Sequence, residues 1–508
     1  MTKAQICIMI AIVAYLTMVL LIGVAYSRKT KNVGDFYLGG RKLGPFVTAM
    51  SAEASDMSSW LLMGLPGVAY LTGIADAGWT AIGLAIGTYL NWLLVAKKLR
   101  NYSAHIGAIT VPDYFSLRYK DKSRLLMAIA AVVIIIFFVP YTASGFAACG
   151  KLFGTLFGVD YHIAMVVSAI VIVGYTSLGG FNAASTTDLI QSIIMTVALV
   201  IVLVFGVIKA GGMTAVIDNA QSLNGYLDMF QTHIAETNTS APYSLLSIVS
   251  TLAWGLGYFG MPHILLRFMA IEDPHKIKTS RRVASIWAVV SMAVGISIGV
   301  VGLAMVSEGA LAPLEDSETI IIQISNLLSQ HGVVPALIAG VILAGILAST
   351  MSTADSQLLA ASSSASENIL GGLFKLNLSE TAKMIVARVT LIVISVIAVI
   401  LAWDSNSSVF GIVSFAWAGF GAAFGPVVLL SLFWKRSNKY GALFGMIAGG
   451  AMVFIWKYAI AKLGGVFAIY ELLPAFIVGL VVNIVVSLLT AKPEQKIIDE
   501  FEEVGKIK

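Results

Sequence analysis

Charge is scarce in this chain. Asp, Glu, Lys and Arg together make up 12% of 508 residues, about half their share in ordinary soluble domains. With 58% of the residues hydrophobic, too little polar surface is left to solvate a water-soluble globule. Cysteine is nearly absent. Cys7 and Cys149 both lie inside apolar runs, which excludes a CxxC metal or redox site and leaves them as packing residues. Proline is also rare, with 12 residues against 47 glycines, a ratio that suits closely approaching membrane helices and not a disordered or collagen-like chain. A net charge of +5 carries its information in its distribution, because Lys and Arg orient a membrane protein; nothing in it points to nucleic acid.

What the chain has in abundance is long apolar runs. They predict an all-α integral membrane protein with about thirteen spans, near 4–26, 43–73, 77–97, 124–154, 160–180, 187–211, 241–268, 282–307, 333–367, 380–402, 407–434, 439–462 and 469–491. A β-barrel would need alternation over about ten residues between turns, and that pattern is missing. The first run is followed, not preceded, by basic residues, the reverse of a signal peptide, so it is expected to stay as a span.

Alternate connections are basic: Arg28, Lys29, Lys31, Arg41 and Lys42; then Lys97, Lys98, Arg100, Arg118, Lys120, Lys122 and Arg124; then Lys276, Lys278, Arg281 and Arg282; then Lys375; then Lys435, Arg436 and Lys439. The stretches 211–240 and 308–332 hold acids and neither Lys nor Arg. The positive-inside rule therefore puts the N-terminus outside and the short tail 492–508 in the cytoplasm of a multi-pass protein of the cell membrane.

Three spans carry polar groups where hydrocarbon penalises them. The second contains Glu53, Ser55, Asp56, Ser58 and Ser59, followed by Gly64, Pro66 and Gly67; carboxylates at that depth call for an aqueous cavity, a cation or a hydrogen-bond network. Hydrogen-bonding glue between packed helices is the plainer reading. The seventh, with Gly255, Gly257, Gly260 and Pro262, is expected to be unwound, or at least kinked at Pro262. The two lie five spans apart, as broken helices do in inverted-repeat transporters. In the ninth, Ser349, Thr350, Ser352, Thr353 and Ser356, with Asp355 among them, form an oxygen-rich strip of the kind a hard cation such as Na⁺ requires. Trp60, Tyr141, Trp254 and Tyr258 lie near these interruptions and can wall a small pocket or simply pack. His263 reads as a hydrogen-bonded residue at a helix end, since partners for a metal site are missing nearby.

The chain resembles the sodium:solute symporter family, in its proline-carrying branch. The likeness runs through nearly all the spans and includes Phe36 to Pro45, Ala54 to Ser58, Trp60 to Gly67, Trp254 to Gly260, Pro262 to Leu265, Met351 to Thr353 and Phe415 to Pro426. It implies a leucine-transporter-like architecture of two inverted five-helix repeats, 43–211 and 241–434, within a single transport domain. The implied function is Na⁺-coupled uptake of L-proline by a protein that is not an enzyme. By position, the carbonyls of Ala54, Met57 and Ser349 and the hydroxyls of Ser352 and Thr353 would hold Na⁺. Asp56 resembles the family's sodium-critical carboxylate, Asp188 a residue on the ion's inward path, and Arg41 an arginine important for coupling. Trp60, Tyr141, Trp254, Tyr258 and Pro262 correspond to the proline pocket, with Ser58 close to both sites. Glu53 and Ser59 depart from the pattern, standing where the best-known proline carriers have glycine.

Alternatives remain at this point. Another small zwitterion or osmolyte could be the solute, and H⁺ could couple through Glu53, Asp56 or Asp355. An intramembrane hydrolase is disfavoured by the lack of a GxSxG elbow or a nucleophile with a paired histidine. Oligomeric state is not legible.

Overall fold

In lipid every backbone polar group must find its partner inside the chain, so apolar runs become helices. The computed structural model describes residues 1–27, 33–374 and 379–507; Arg28, Lys29, Lys31 and Lys375, counted above among the basic connections, lie outside the described residues. The first part of the chain builds α1 (Lys3–Ser27), α2 (Val33–Leu38), α3 (Pro45–Ser59), α4 (Leu65–Thr72), α5 (Ile74–Leu90), α6 (Ala96–His105), α7 (Val111–Arg118), α8 (Leu125–Phe157), α9 (Tyr161–Lys209) and α10 (Met213–Ser222). A hairpin of β1 (Gln231–Ile234) and β2 (Thr239–Pro242) follows. The remainder is α11 (Leu245–Leu252), α12 (Pro262–Ala270), α13 (Ile277–Ser307), α14 (Ile320–Ser329), α15 (Val333–Ser363), α16 (Glu380–Leu401), α17 (Val409–Phe433), α18 (Lys439–Ile455), α19 (Leu472–Leu489) and α20 (Gln495–Gly505).

Among the described residues ten helices are long and apolar enough to cross a membrane, or eleven if the segment from Leu245 to Phe259 and α12, bent by 44°, form one span. The expected thirteen is therefore not matched. Two of the expected spans are not among these ten. The segment from Pro45 to Thr72 is polar in its middle and broken at Ser58, and the first limb of α9, from Tyr161 to the kink at Gly180, includes residues whose side chains lie outside the described ones. The break expected between 180 and 187 falls at Gly180, where φ 63° and ψ −169° are not helical and α9 is two helices meeting at a kink. A Cβ there would sit 2.8 Å from the Phe36 ring, so glycine serves both the turn and the packing. The connection 211–240, expected to be a loop, contains α10 and opens the antiparallel hairpin, whose second strand ends at Pro242.

Small residues let the site-bearing helices meet backbone to backbone. A Cβ on Gly87 of α5 would lie 2.3 Å from the Gly255 carbonyl oxygen. α3, buried from Thr48 to Ser59, is packed by α9, α12, α13 and α15. The termini lie on opposite faces. Gln5 donates to the Leu156 carbonyl at the end of α8, whereas Lys120, just before the start of α8, pairs with Glu500 of α20 at 2.8 Å.

Candidate functional site

α3 begins well, with Pro45 in its first turn, and fails at Ser58, where φ 44° and ψ −168° are foreign to an L-residue and cost about 1–3 kcal/mol. The break is held from both sides. The Ser58 hydroxyl accepts the Trp60 amide at 3.1 Å, and the Tyr141 hydroxyl donates to the Asp56 carbonyl at 3.1 Å.

Behind the break runs the hydroxyl strip of α15. Ser352 Oγ donates to the Ala54 carbonyl at 2.7 Å and lies 3.0 Å from the Ser349 carbonyl; Thr353 Oγ1 lies 3.1 Å from that same carbonyl. Four of the five oxygens expected to hold a cation are thus joined in one buried network. The fifth, the Met57 carbonyl, accepts the Trp60 amide across the break. Neutral, hard oxygen donors of this kind fit a monovalent cation and not a transition metal, and among the described residues there is no group of three His, Cys, Asp or Glu side chains placed to hold a metal ion. A bound cation would take the place of the hydroxyl protons, so the same contacts that tie α3 to α15 would become its ligands.

In front of the break lies an aromatic box. Trp60 packs against Trp254 at 5.7 Å and stacks on Phe410 at 5.9 Å. Trp254 stacks on Tyr470 at 5.0 Å, and Trp417 donates to the Trp254 carbonyl at 2.7 Å. Asp56, Met57, Trp60, Leu84, Tyr141, Trp254, Val413 and Trp417 enclose a void of about 10 Å³, room for no more than about one water. Any larger solute requires the rings to move. Tyr258 stands behind this wall, its hydroxyl 2.5 Å from Asp56 Oδ2 and its ring edge-on to Trp417 at 5.0 Å. Pro262, expected in the pocket, instead lines a separate small void on the other side of the α12 break, because it opens α12 and points with that helix away from the box. His263 also differs from expectation. It is fully buried with its ring 5.6 Å from Phe138, and neither ring nitrogen has a partner among the described residues.

The charged residues sort by depth. Glu53, 1% exposed, receives only a long 3.4 Å bond from the Trp92 indole. Asp188 accepts from Ser51 at 2.6 Å and pairs with Arg267 at 3.2 Å. Arg267 also donates to Ser51 and to Ser356, whose hydroxyl returns to the Ser352 carbonyl. Asp188 is therefore wired to the hydroxyl strip through an arginine that the sequence reading passed over; a lone Arg within an apolar span was the available signal. Asp355 accepts from Thr176 at 2.5 Å. Arg41 lies farther out. It donates to the carbonyls of Met269, Ser103 and Ala108, tying α12 to the end of α6. Burial, with Arg100 nearby, pulls its guanidinium down to about 10, which leaves it charged at neutral pH.

A second missed group is Glu318. Its carboxylate accepts from the Ser408 hydroxyl and from the Val409 and Phe410 amides at the start of α17, where a helix N-terminus favours negative charge, and it meets Lys151 at 2.8 Å. The loop that carries it thereby fixes Phe410, the roof of the aromatic box. Residue type gave no hint here, because the sequence reading took this acid only as part of an outside loop.

A broken helix bound to an oxygen strip, with an aromatic box beside it, is the site of a cation-linked solute carrier. The model of the sodium:solute symporter family matches residues 36–449, and the chain belongs to that family. It is 43% identical over 485 residues to the high-affinity proline transporter PutP of Bacillus subtilis, covering 95% of this chain and 98% of the relative. Over 507 residues it is 42% identical to a sodium/proline symporter of Haemophilus influenzae, covering 98% and 97% of the two chains. Its fold matches that of a Na⁺-coupled sialic acid symporter solved in a substrate-bound outward-open state, with a TM-score of 0.78 at 19% identity over 96% of this chain and 99% of the other. The leucine-transporter-like architecture expected from the sequence stands, and the chain is a membrane transporter and not an enzyme.

Proposed function

We propose that this chain couples inward Na⁺ flow to the uptake of L-proline by alternating access. The observation that carries this reading is the joining of broken α3 to α15 through Ser352 and the Ala54 carbonyl at 2.7 Å. Na⁺ held by Ala54, Met57, Ser349, Ser352 and Thr353 stabilises one relation of the two helices, and only such a difference between states can drive a conformational cycle. Proline's ring lies among Trp60, Tyr141, Trp254 and Tyr258, with Ser58 at the boundary of both sites. Its carboxylate faces the amides freed at the break, where the restarting helix is electropositive. Phe410 and Trp417 must withdraw to admit it. Asp56 sits between the two ligands and Asp188 on the ion's way in; Arg41 couples by holding α12 to α6.

The repeats 43–211 and 241–434 are related by inversion, the N-terminus is outside, and the tail 492–508 is cytoplasmic at the cell membrane. A potential of about 100 mV supplies roughly 2.3 kcal/mol per charge and a tenfold Na⁺ gradient roughly 1.4 more. One ion thus sustains accumulation of several hundredfold. Glu53, an additional buried carboxylate beside the Na⁺ carbonyl of Ala54, favours a second reading in which H⁺ assists or another small zwitterion is carried. Counterflow of labelled L-proline in proteoliposomes, challenged with other zwitterions at several pH values, separates the two. Exchange blocked by proline alone and flat with pH supports the first, and preferential block by another zwitterion or loss of Na⁺ dependence supports the second.

A further inference from the structure

Two helices each carry a residue of the central site and, two turns farther along, a residue of a second void, and a third such pair stands on either side of the α12 break. On α8 Tyr141 is followed inward by Ile134, seven residues away; on α15 Ser352 is followed by Leu359, also seven; across the α12 break Tyr258 is followed by Leu266, eight away. Two helical turns are about 10 Å. At that depth Ile134, Pro262, Leu266 and Leu359 leave a void of only about 20 Å³. Beyond it opens a polar vestibule of about 1210 Å³, bounded by α7, the segment after α15 and Glu500 of α20. One residue, Thr110, lines both spaces.

Thr110 is held there by a partner from the cation-binding helix. Asn368, in the continuation of α15, donates from Nδ2 to Thr110 Oγ1 at 3.1 Å, and both residues are buried. Thr110 also caps α7 by accepting the Asp113 amide. Two further bonds close the same seam: Tyr37 with Ser366 at 3.0 Å, and Arg124 to the Gly372 carbonyl at 2.7 Å.

We propose that the Thr110–Asn368 pair is the latch of the inner gate, that Ile134, Leu266 and Leu359 are its apolar plug, and that a small zwitterion leaves through the vestibule beyond. The proposal rests on the transport reading above. Because Asn368 lies on the extension of the helix that bears Ser352 and Thr353, a shift of α15 on cation loss is felt directly at the latch. A single neutral hydrogen bond is worth little on its own, which suits a contact that must break in every cycle.

The test places a single reporter, Ser363→Cys on the wall of the 20 Å³ void, in a background lacking Cys7 and Cys149. A membrane-impermeant thiol reagent is applied from the vestibule side in Na⁺ alone. Asn368→Ala is expected to speed labelling at least about fivefold over the parent, and Leu266→Ala to do the same by loosening the plug. Thr110→Ser, which keeps the hydroxyl, is expected to match the parent, whereas an Asn368→Ala rate equal to the parent's would show the latch irrelevant to gating and overturn the proposal, whatever Leu266→Ala does. Labelling from the opposite face would overturn it too. Since the comparison is made in Na⁺ alone, it stands apart from the solute assignment: failure of L-proline to exchange in the parent sinks that assignment without touching the ratio of rates.

Discussion

At the scale of single residues, the account turns on oxygens whose partners change with ligand. In the site proposed here Ser352 and Thr353 each offer one hydroxyl to the cation, and a hydrogen-bond-like contact to a charge is worth about 1.5–3 kcal/mol. Ser352→Ala and Thr353→Ala are therefore expected to raise the Na⁺ concentration for half-maximal uptake at least about tenfold, as measured by Na⁺ titration of the uptake rate, while the protein still folds. Tyr258→Phe removes the short bond to Asp56 and leaves the ring against Trp417. Its expected outcome is weaker solute and Na⁺ dependence together, read by titrating each against the other. An effect on solute affinity alone would separate Asp56 from the ion.

At the scale of elements, the close approaches are what hold the broken helices in place. Gly257 faces the Trp417 indole so tightly that a Cβ would fall 1.9 Å from its nitrogen, and Gly87 meets Gly255 in the same way. Gly87→Ala and Gly257→Ala are expected to lower thermal stability in detergent by an overpacking cost of about 1–3 kcal/mol or more, visible as earlier loss of the monodisperse peak on heating. On the outer side, Glu318→Gln keeps the shape but weakens the bonds to Lys151 and to the α17 amides. Reduced transport with a more accessible Phe410→Cys reporter is expected.

Much of this was legible beforehand, and the reason differs by element. The breaks in α3 and before α12 were visible because serine, acid and glycine stand where hydrocarbon demands leucine, and the strip on α15 because so many hydroxyls exceed what back-bonding uses. Glu318 and Arg267 were not, because their roles arise from partners more than 75 residues away in sequence. Pro262 carried its helix-breaking signal correctly, but which side of the break it faces depends on how α12 restarts. The span count is not confirmed by length and apolarity alone, because polarity around Ser58 and the kink at Gly180 break the apolar stretches there.

At the scale of the whole molecule, the termini lie on opposite faces, and Lys120 and Lys435 of two basic connections pair with Glu500 and Glu502 of α20. The orientation proposed from the positive-inside rule is tested by cysteine labelling: Asn238→Cys on the hairpin face is expected to react with an impermeant reagent on intact cells, and Lys506→Cys only after permeabilisation. The reverse pattern would invert the direction of transport proposed here. The structure leaves only small voids at the aromatic box, where Glu318 holds the Phe410 amide, and at Ile134, Leu266 and Leu359, and in the account proposed here α15 links the second of these to the cation. That arrangement makes ion binding and solute access a single equilibrium.

The measurement that tests this most directly is accumulation of labelled L-proline in proteoliposomes under imposed Na⁺, Li⁺ or H⁺ gradients, comparing the unaltered protein with Asp56→Ala and Thr353→Ala. Accumulation driven by Na⁺, and lost or strongly weakened in both variants, is the expected result. Accumulation driven equally by H⁺, or Na⁺-driven accumulation that survives Thr353→Ala unchanged, would contradict the placement of the ion between α3 and α15.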